Sequence, residues 1–230
     1  MKQVSLTVLL GWGLVLQAAC ADELVRAAGE GNLAEVQAAL SRGGDVNAQE
    51  ELAGRTALMA AAAAGRLEVV KLLIDKSANL QAKDSGGWTA LMVAVREERT
   101  DVVRALLEKG ADPNVRDNCG WTPLMVASLE GQRDIVALLL ERKADLNARC
   151  SDDRTALMYA VGNDHIETVK LLLTKGADFE VTDANGWTVL MYAKKNANER
   201  IMEMVRGAMA GRAQAGHTTP DQEAAPPSRR

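Results

Sequence analysis

The chain has few of the residues that build catalytic, metal or disulfide sites. It contains two histidines and three cysteines, and aromatic residues make up 3% of its 230 residues. Three cysteines are too few for a disulfide scaffold. The chain shows no zinc-protease motif, nucleophile elbow or phosphate-binding loop. We therefore predict that the protein is not an enzyme and carries no cofactor and no metal.

A strong excess of positive charge is also missing, since the net charge is −4 at pH 7. Nucleic acids and anionic membranes attract basic surfaces, so neither is expected as the main partner. Alanine is abundant where aromatic residues are scarce. This composition indicates thin, closely packed helices rather than a large aromatic core.

The first 21 residues have the layout of a secretory signal peptide. Met1 and Lys2 supply positive charge, residues 4–16 carry no charge, and small residues follow at 18–21. The apolar run is shorter than the ~20 residues that span a bilayer. We therefore predict residues 1–21 to be a signal peptide and the protein to be exported, to the periplasm of a bacterium.

Two cleavage sites compete at the end of this segment. Cleavage after Ala21 leaves Asp22 first, whereas cleavage after Ala19 leaves Cys20 first, where a bacterial lipoprotein is acylated and tethered to the membrane. The lipoprotein motif usually has an aliphatic residue three places before the cysteine, and here Gln17 stands there. The soluble product is favoured.

One short phrase, Thr-x-Leu-Met, recurs at a fixed spacing of 33 residues. Its five copies begin at Thr56, Thr89, Thr122, Thr155 and Thr188. A fixed period of this size indicates a stack of identical supersecondary units. No unit can bury its apolar side alone, so each must pack against its neighbours.

The second unit shows the structure predicted for each repeat. Thr56 caps a short, alanine-rich helix at 57–64 through its hydroxyl. Gly65 begins a turn, a second helix follows at 67–74, and residues 83–87 have turn chemistry.

These elements resemble the ankyrin repeat, most clearly at 110–127, where Gly-Ala-Asp, Asp-x-x-Gly-x-Thr and Thr-Pro-Leu-x-x-Ala follow one another. The resemblance implies an all-α solenoid of about six helix-turn-helix units with short β-hairpin-like loops. Asp22 aligns with the capping threonines, and the last helix is expected near 198–205, before a disordered tail at 211–230. The expected units are about 22–55, 56–88, 89–121, 122–154, 155–187 and 188–210.

The chain departs from the family pattern at two kinds of position. The family usually has a histidine where this chain has Met59, Met92, Met125, Met158 and Met191. Methionine cannot donate that histidine's hydrogen bonds, so packing is expected to join the units. A metal role for the five thioethers is possible in principle, but flexible core filler is favoured. Ser77 and Lys143 replace the glycine that ends a helix, which predicts left-handed backbone at both.

The resemblance also implies where a partner binds, because the family's contacts come mostly from the hairpin tips and the first helix of each unit. The residues before each capping threonine are Arg55, Trp88, Trp121, Arg154 and Trp187, and those at the ends of the first helices include Arg96, Leu129 and Lys195. Three of the four tryptophans thus share one column. They act either as anchors for a partner or as packing across their own hairpins.

The expected function is a non-catalytic protein–protein interaction module of the bacterial cell envelope with an unidentified protein partner. The resemblance leaves one alternative, an accessory factor for a periplasmic redox or peroxide-handling enzyme. Self-association through the exposed indoles is a further possibility. Cys119 and Cys150 are expected on adjacent loops, either as a disulfide or, as favoured, as free thiols.

Overall fold

Twelve helices lie in six consecutive pairs within residues 20–215, the part of the chain that the structure, a computed structural model, describes. The predicted signal peptide up to residue 19 and the tail from 216 lie outside the described residues. The first, inner helices of the pairs are α1 (20–30), α3 (Ala57–Ala63), α5 (Ala90–Arg96), α7 (Pro123–Leu129), α9 (Ala156–Gly162) and α11 (Val189–Lys195). The second, outer helices are α2 (Leu33–Ser41), α4 (Leu67–Asp75), α6 (Thr100–Glu108), α8 (Arg133–Glu141), α10 (Ile166–Thr174) and α12 (Glu199–Ala215). Within this range, β pairing is limited to two isolated bridges. The predicted all-α solenoid is therefore confirmed.

The threonine of each repeat starts an inner helix, as predicted. The Thr56 hydroxyl accepts a hydrogen bond from the Met59 backbone N–H at 3.3 Å, and the other four threonines do the same at 3.3–3.5 Å. Each threonine has extended backbone, so the helix begins at the following residue.

The methionine column lies in the core for four of its five members. Met59, Met92, Met125 and Met158 are at most 1% exposed, because the next unit covers each of them. Met191 is 49% exposed, since no further described unit packs on α11. The core-filler interpretation is therefore confirmed for the first four and wrong for Met191.

The prediction that packing alone joins the units is wrong, because a row of side chains also ties each unit to the one before it. We call these side chains straps. The Nε atoms of Arg66 and Arg99 donate to the carbonyls of Gly29 and Ala63 at 3.2 and 3.0 Å. His165 Nε2 lies 2.7 Å from the Leu129 carbonyl.

A second row of ties runs through the hairpins. The side chains of Lys83, Arg116 and Arg149 donate to the carbonyl oxygens of Arg116, Arg149 and Thr182 at 2.6–2.7 Å. Each reaches a carbonyl 33 residues further along the chain. These contacts fix the hairpin tips relative to one another.

Each strap requires a glycine in the preceding unit. Gly65 and Gly131 have φ of 70° and 71°, and a Cβ there would collide with the side chains of Arg99 and His165 respectively. Glu98 stands at the corresponding place in the third unit, with φ 55°. Gln132 follows it in the strap position, and its buried Oε1 has no hydrogen-bond partner among the described residues. The boundary between the third and fourth units therefore lacks a strap.

The two residues that replace a helix-ending glycine adopt the predicted left-handed backbone. Ser77 and Lys143 have φ of 65° and 66°, whereas Gly110 at the equivalent position has φ 90°. The left-handed conformation is thus imposed by the helix end and not by the residue type.

Both ends of the solenoid differ from the prediction. The chain is already helical at residue 20, so Asp22 lies inside α1 and is not its cap. Leu24 and Val25 are nevertheless buried like Leu58 and Met59. At the other end α12 continues to Ala215, beyond the predicted helix end and into the predicted tail. Among residues 20–215, no helix combines the length and apolarity that crossing a membrane requires.

Candidate functional site

The column of residues before each capping threonine lies along the hairpins on the inner-helix side. Trp88 and Trp121 are partly buried against the core, and Trp187 is 36% exposed. An aspartate four residues earlier holds each backbone: the carboxylates of Asp84 and Asp117 accept from the N–H of Trp88 and Trp121 at 2.8 Å. The Asp-x-x-Gly-x-Thr element therefore fixes the backbone position from which each tryptophan side chain extends.

Residues at the ends of the inner helices reach back to these indoles. The Arg96 guanidinium lies 4.9 Å from the Trp88 ring centroid, and Lys195 Nζ lies 5.6 Å from that of Trp187. The structure thus brings the two predicted sets together in pairs. Leu129 is the exception, since its side chain packs on the core and its carbonyl receives the His165 strap.

One recess lies on the first three units, and we call it the amino-terminal groove. Its volume is about 870 Å³, and Arg55, Trp88 and Arg96 are among the residues that line it. Ala60 and Ala63 contribute the small side chains that keep it open. The charged residues around these are Asp22, Arg26, Glu30, Glu50, Arg66, Asp84 and Glu97.

Two of the four arginines of the groove already have carboxylate partners. Arg26 pairs with Glu30 and Glu35 at 2.6 and 3.0 Å, and Arg96 pairs with Glu97 at 3.1 Å. These pairs are half exposed, so each contributes little to stability. They leave a polar rim of both signs around a floor of small apolar side chains.

A second recess, the carboxy-terminal recess, lies on the last three units and has a volume of about 240 Å³. It is lined by Arg154, Asp183, Asn185, Trp187, Tyr192 and Lys195. Trp187 packs on Tyr192 with ring centroids 5.3 Å apart. Next to it, Trp121 packs on Tyr159 at 4.4 Å. Trp187 therefore packs on the inner helix that directly follows it, α11, and Trp121 packs on α9, one unit further along.

Asp183 is the most buried charge of this region, with a side chain 1% exposed. Burial alone raises the pKa of Asp183. The hydrogen bond from the Tyr192 hydroxyl, at 2.6 Å, and those from the backbone N–H groups of Trp187 and Asn185 outweigh burial, and the pKa lies below its usual value. Asp183 is therefore ionised at neutral pH.

Arg154 approaches the same carboxylate from the preceding hairpin. Its Nε lies 3.5 Å from Asp183 Oδ2, and its guanidinium lies 6.0 and 5.7 Å from the ring centroids of Tyr159 and Tyr192. Burial and the bond to Asp183 raise the pKa of Tyr192, so this phenol is neutral and donates its proton.

Sequence reasoning missed Tyr159, Tyr192 and Asp183 as members of this surface. A signal was present, because both tyrosines of the chain stand four residues after a capping threonine. The other units have Ala60, Val93 and Val126 at that place. Comparing that one column across units would have found the change.

The cysteines are free thiols in the structure. Cys119 is exposed, while Cys150 is buried where the neighbouring repeats have the hairpin aspartate. Its Sγ lies 3.3 Å from the Tyr159 hydroxyl. Burial, followed by this hydrogen bond, raises the pKa of Tyr159.

Comparison with known families matches the model for ankyrin repeats in three overlapping copies, at residues 24–117, 113–183 and 147–214. The chain belongs to the ankyrin repeat family. Together the copies reach from the first described unit to the last helix, so the six pairs form one ankyrin domain. Ankyrin repeat proteins are typically non-catalytic modules for protein–protein interaction, and a protein is the kind of partner that this surface implies.

Proposed function

We propose that this ankyrin repeat protein is a non-catalytic adaptor that holds its protein partner in the amino-terminal groove. The observation that carries the proposal is the open groove of about 870 Å³ with Trp88, Arg55 and Arg96 at its sides. Tryptophan and arginine are the side chains most often found as binding hot spots. An apolar floor inside a polar rim is also the usual anatomy of an interface.

Arg55 is the groove arginine with the most capacity to bind. Unlike Arg26 and Arg96, it forms no ion pair with another residue of the described range. It is half-buried on the hairpin beside the groove. A partner carboxylate or carbonyl can therefore use its full set of donors.

The test is a capture experiment from the envelope fraction of the native organism, in which the wild type is compared with Trp88→Ala/Arg96→Ala. Loss of these anchors should weaken binding by about 2–4 kcal/mol. Lys71→Ala is the matched control, because Lys71 lies on outer helix α4 and pairs there with Glu68 at 2.8 Å. Circular dichroism confirms that all variants are helical.

A second variant, Ala60→Tyr, fills the groove without removing any anchor. Tyr192 stands at the same repeat position as Ala60 and packs beside Gly162, 3.7 Å from where a Cβ there would lie. Gly29 offers the same space beside Ala60. A partner retained equally by both groove variants and by the control would show that binding occurs elsewhere.

We also propose that the protein acts in the bacterial cell envelope after export and cleavage behind Ala21. The charge and apolar pattern of residues 1–21 support this. The intact mass of the native protein tests it, because a chain that begins at Asp22 and one acylated at Cys20 differ in mass. An uncleaved chain in the cytoplasm would refute export. The captured partner would also show whether the client is a redox enzyme.

A further inference from the structure

The carboxy-terminal recess contains two cations with unused hydrogen-bonding capacity: Arg154 has one long contact, to Asp183, and Lys195 has no ion pair among the described residues. Arg154 uses only Nε, at 3.5 Å from Asp183, which is longer than the ~2.7–2.9 Å of a charge-assisted hydrogen bond. Its terminal nitrogens donate to no described residue. Lys195 faces the Trp187 ring and forms no ion pair within the described range.

Asp183 has little capacity left to pair with these cations. One carboxylate oxygen accepts from two backbone N–H groups, both at 2.9 Å, and the other accepts the Tyr192 hydroxyl. Asp152, on the Arg154 hairpin, is close enough for its charge to add to the effect of burial and Cys150 on the pKa of Tyr159. It lies beyond ion-pair distance of Arg154. Two cations and one saturated anion line the recess, which leaves it positive.

The aromatic residues restrict the Arg154 guanidinium to a position where it can bind a planar anion. Tyr159 and Tyr192 flank Arg154 on two units, so less side-chain freedom is lost when a ligand binds. A guanidinium fork matches a carboxylate through two parallel hydrogen bonds. Trp187 and Tyr192 supply flat apolar surface for a neighbouring side chain.

We propose that this recess binds the carboxylate of a glutamate or aspartate side chain in the partner protein, with an adjacent apolar residue against Trp187. The proposal rests on the protein-binding function and gives the chemistry of a second contact on the same face. The volume of about 240 Å³ suits one side chain rather than a folded segment. In the amino-terminal groove Arg26 and Arg96 already have carboxylates, and Arg55 has, among the described residues, no aromatic pair of the kind that flanks Arg154.

The test follows the Trp187 indole N–H resonance of the full chain by NMR during titration with N-acetyl-glutamyl-leucine amide. The neutral peptide N-acetyl-glutaminyl-leucine amide is the matched probe, and inorganic phosphate is the competing anion. We expect the glutamyl peptide to bind with a dissociation constant of about 1 mM. Arg154→Gln should weaken this binding by about tenfold or more, and Lys195→Gln should weaken it less.

Lys109→Gln, at the end of outer helix α6, is the control for the loss of one positive charge. Thermal melting shows whether each variant folds, and Arg154→Lys tests the fork, because it keeps the charge and loses the bidentate geometry. Equal binding of the two peptides, no binding by the wild type, or full binding by Arg154→Gln would each overturn the proposal. Stronger binding of phosphate than of the glutamyl peptide would also overturn it.

The two proposals fail separately. If the glutamyl peptide does not bind but the groove variants lose a partner, the recess proposal fails and the adaptor function stands. If the glutamyl peptide binds with the expected dependence on Arg154 but no variant changes protein capture, the adaptor proposal fails.

Discussion

The two ends of the inner-helix face are built from the same repeat and yet offer different surfaces. In the first three units Ala60 and Val93 stand four residues after the capping threonine, and the groove there has a volume of about 870 Å³. In the last two units Tyr159 and Tyr192 take that place, and the recess shrinks to about 240 Å³. One column of side chains therefore decides whether the face is open or filled.

The comparison teaches that a repeat fold separates stability from recognition. The capping threonines and buried methionines recur in both halves. The column that changes lies under the surface of this face and is largely buried, since Ala60, Val93, Val126 and Tyr159 are at most 6% exposed. Substitution there reshapes the binding surface while the threonines and methionines that recur in every unit keep the stack together.

The boundary between the halves is also distinct. Straps join the first three units through Arg66 and Arg99, and His165 joins the fourth and fifth. At the boundary itself Gln132 makes no strap, although the hairpins remain tied there by Arg116. The halves are therefore held together on the hairpin side more than at the helix turns.

The largest expected effect comes from breaking the strap of the carboxy-terminal half with Gly131→Ala. The new methyl group would collide with the His165 ring, and alanine is strained at φ 71°. We expect a loss of about 2–4 kcal/mol in the free energy of unfolding, measured by urea denaturation. The control is Gly176→Ala, which has φ 87° but nothing within 4 Å of the new Cβ. Equal losses would mean that the strap contributes nothing.

Asp183→Asn comes next and tests the buried carboxylate of the same half. We expect a loss of about 1–3 kcal/mol, because bonds to a charged acceptor become bonds to a neutral one. Asp84→Asn is the comparison in the other half, where two backbone N–H groups bind the carboxylate without a tyrosine, and it should cost less. An equal cost at both sites would contradict the role assigned to Tyr192.

The stability difference between wild type and Asp183→Asn should also depend on pH, and its direction follows from the pKa of Asp183. The folded-state pKa of Asp183 lies below the ordinary aspartate value of 3.8. Its carboxylate therefore stabilises the fold above about pH 4, and that contribution disappears as the pH falls through the folded pKa. The stability gap between wild type and Asp183→Asn should narrow only in that acid range. A gap that closes between pH 7 and pH 5 would assign it to another group.

The third prediction repairs the boundary. Glu98→Gly combined with Gln132→Arg recreates the glycine and the strap, with the Arg96 carbonyl as the equivalent acceptor. We expect a gain of about 1–2 kcal/mol, from relief of the left-handed glutamate and one new hydrogen bond. In a double-mutant cycle, the gain in the free energy of unfolding for the double variant should exceed the sum of the two single effects. Additive single effects would argue against a strap.

The smallest expected effect is at Lys143, the left-handed residue that ends α8. Lys143→Gly should stabilise the fold by up to about 1 kcal/mol, since glycine adopts φ 66° without strain. Ser77→Gly repeats the test in the amino-terminal half. A denaturation midpoint that stays in place or falls would show that the lysine side chain compensates for its strain.

Much of the fold could be predicted from the sequence because its signals are local and repeated. Thr56 and its equivalents mark helix starts, and the glycine positions predicted the backbone of Ser77 and Lys143. The candidate site was predicted in part. The tryptophan column was found from its register, whereas Tyr159 and the Arg154–Asp183 contact were not, because those partners lie on different units.

The sequence by itself determined the repeat, the starts of the five threonine-capped helices and the family, since each depends on residues within one period. The tertiary structure alone decided which units are strapped and where the inner-helix face is open. It also decided how Asp183 is satisfied by Tyr192. These properties arise between units: the Arg99 strap and the Arg154–Asp183 contact join residues 36 and 29 apart in the chain, and the Tyr192–Asp183 bond joins two units as well. Such contacts depend on how neighbouring units stack and not on local sequence preference.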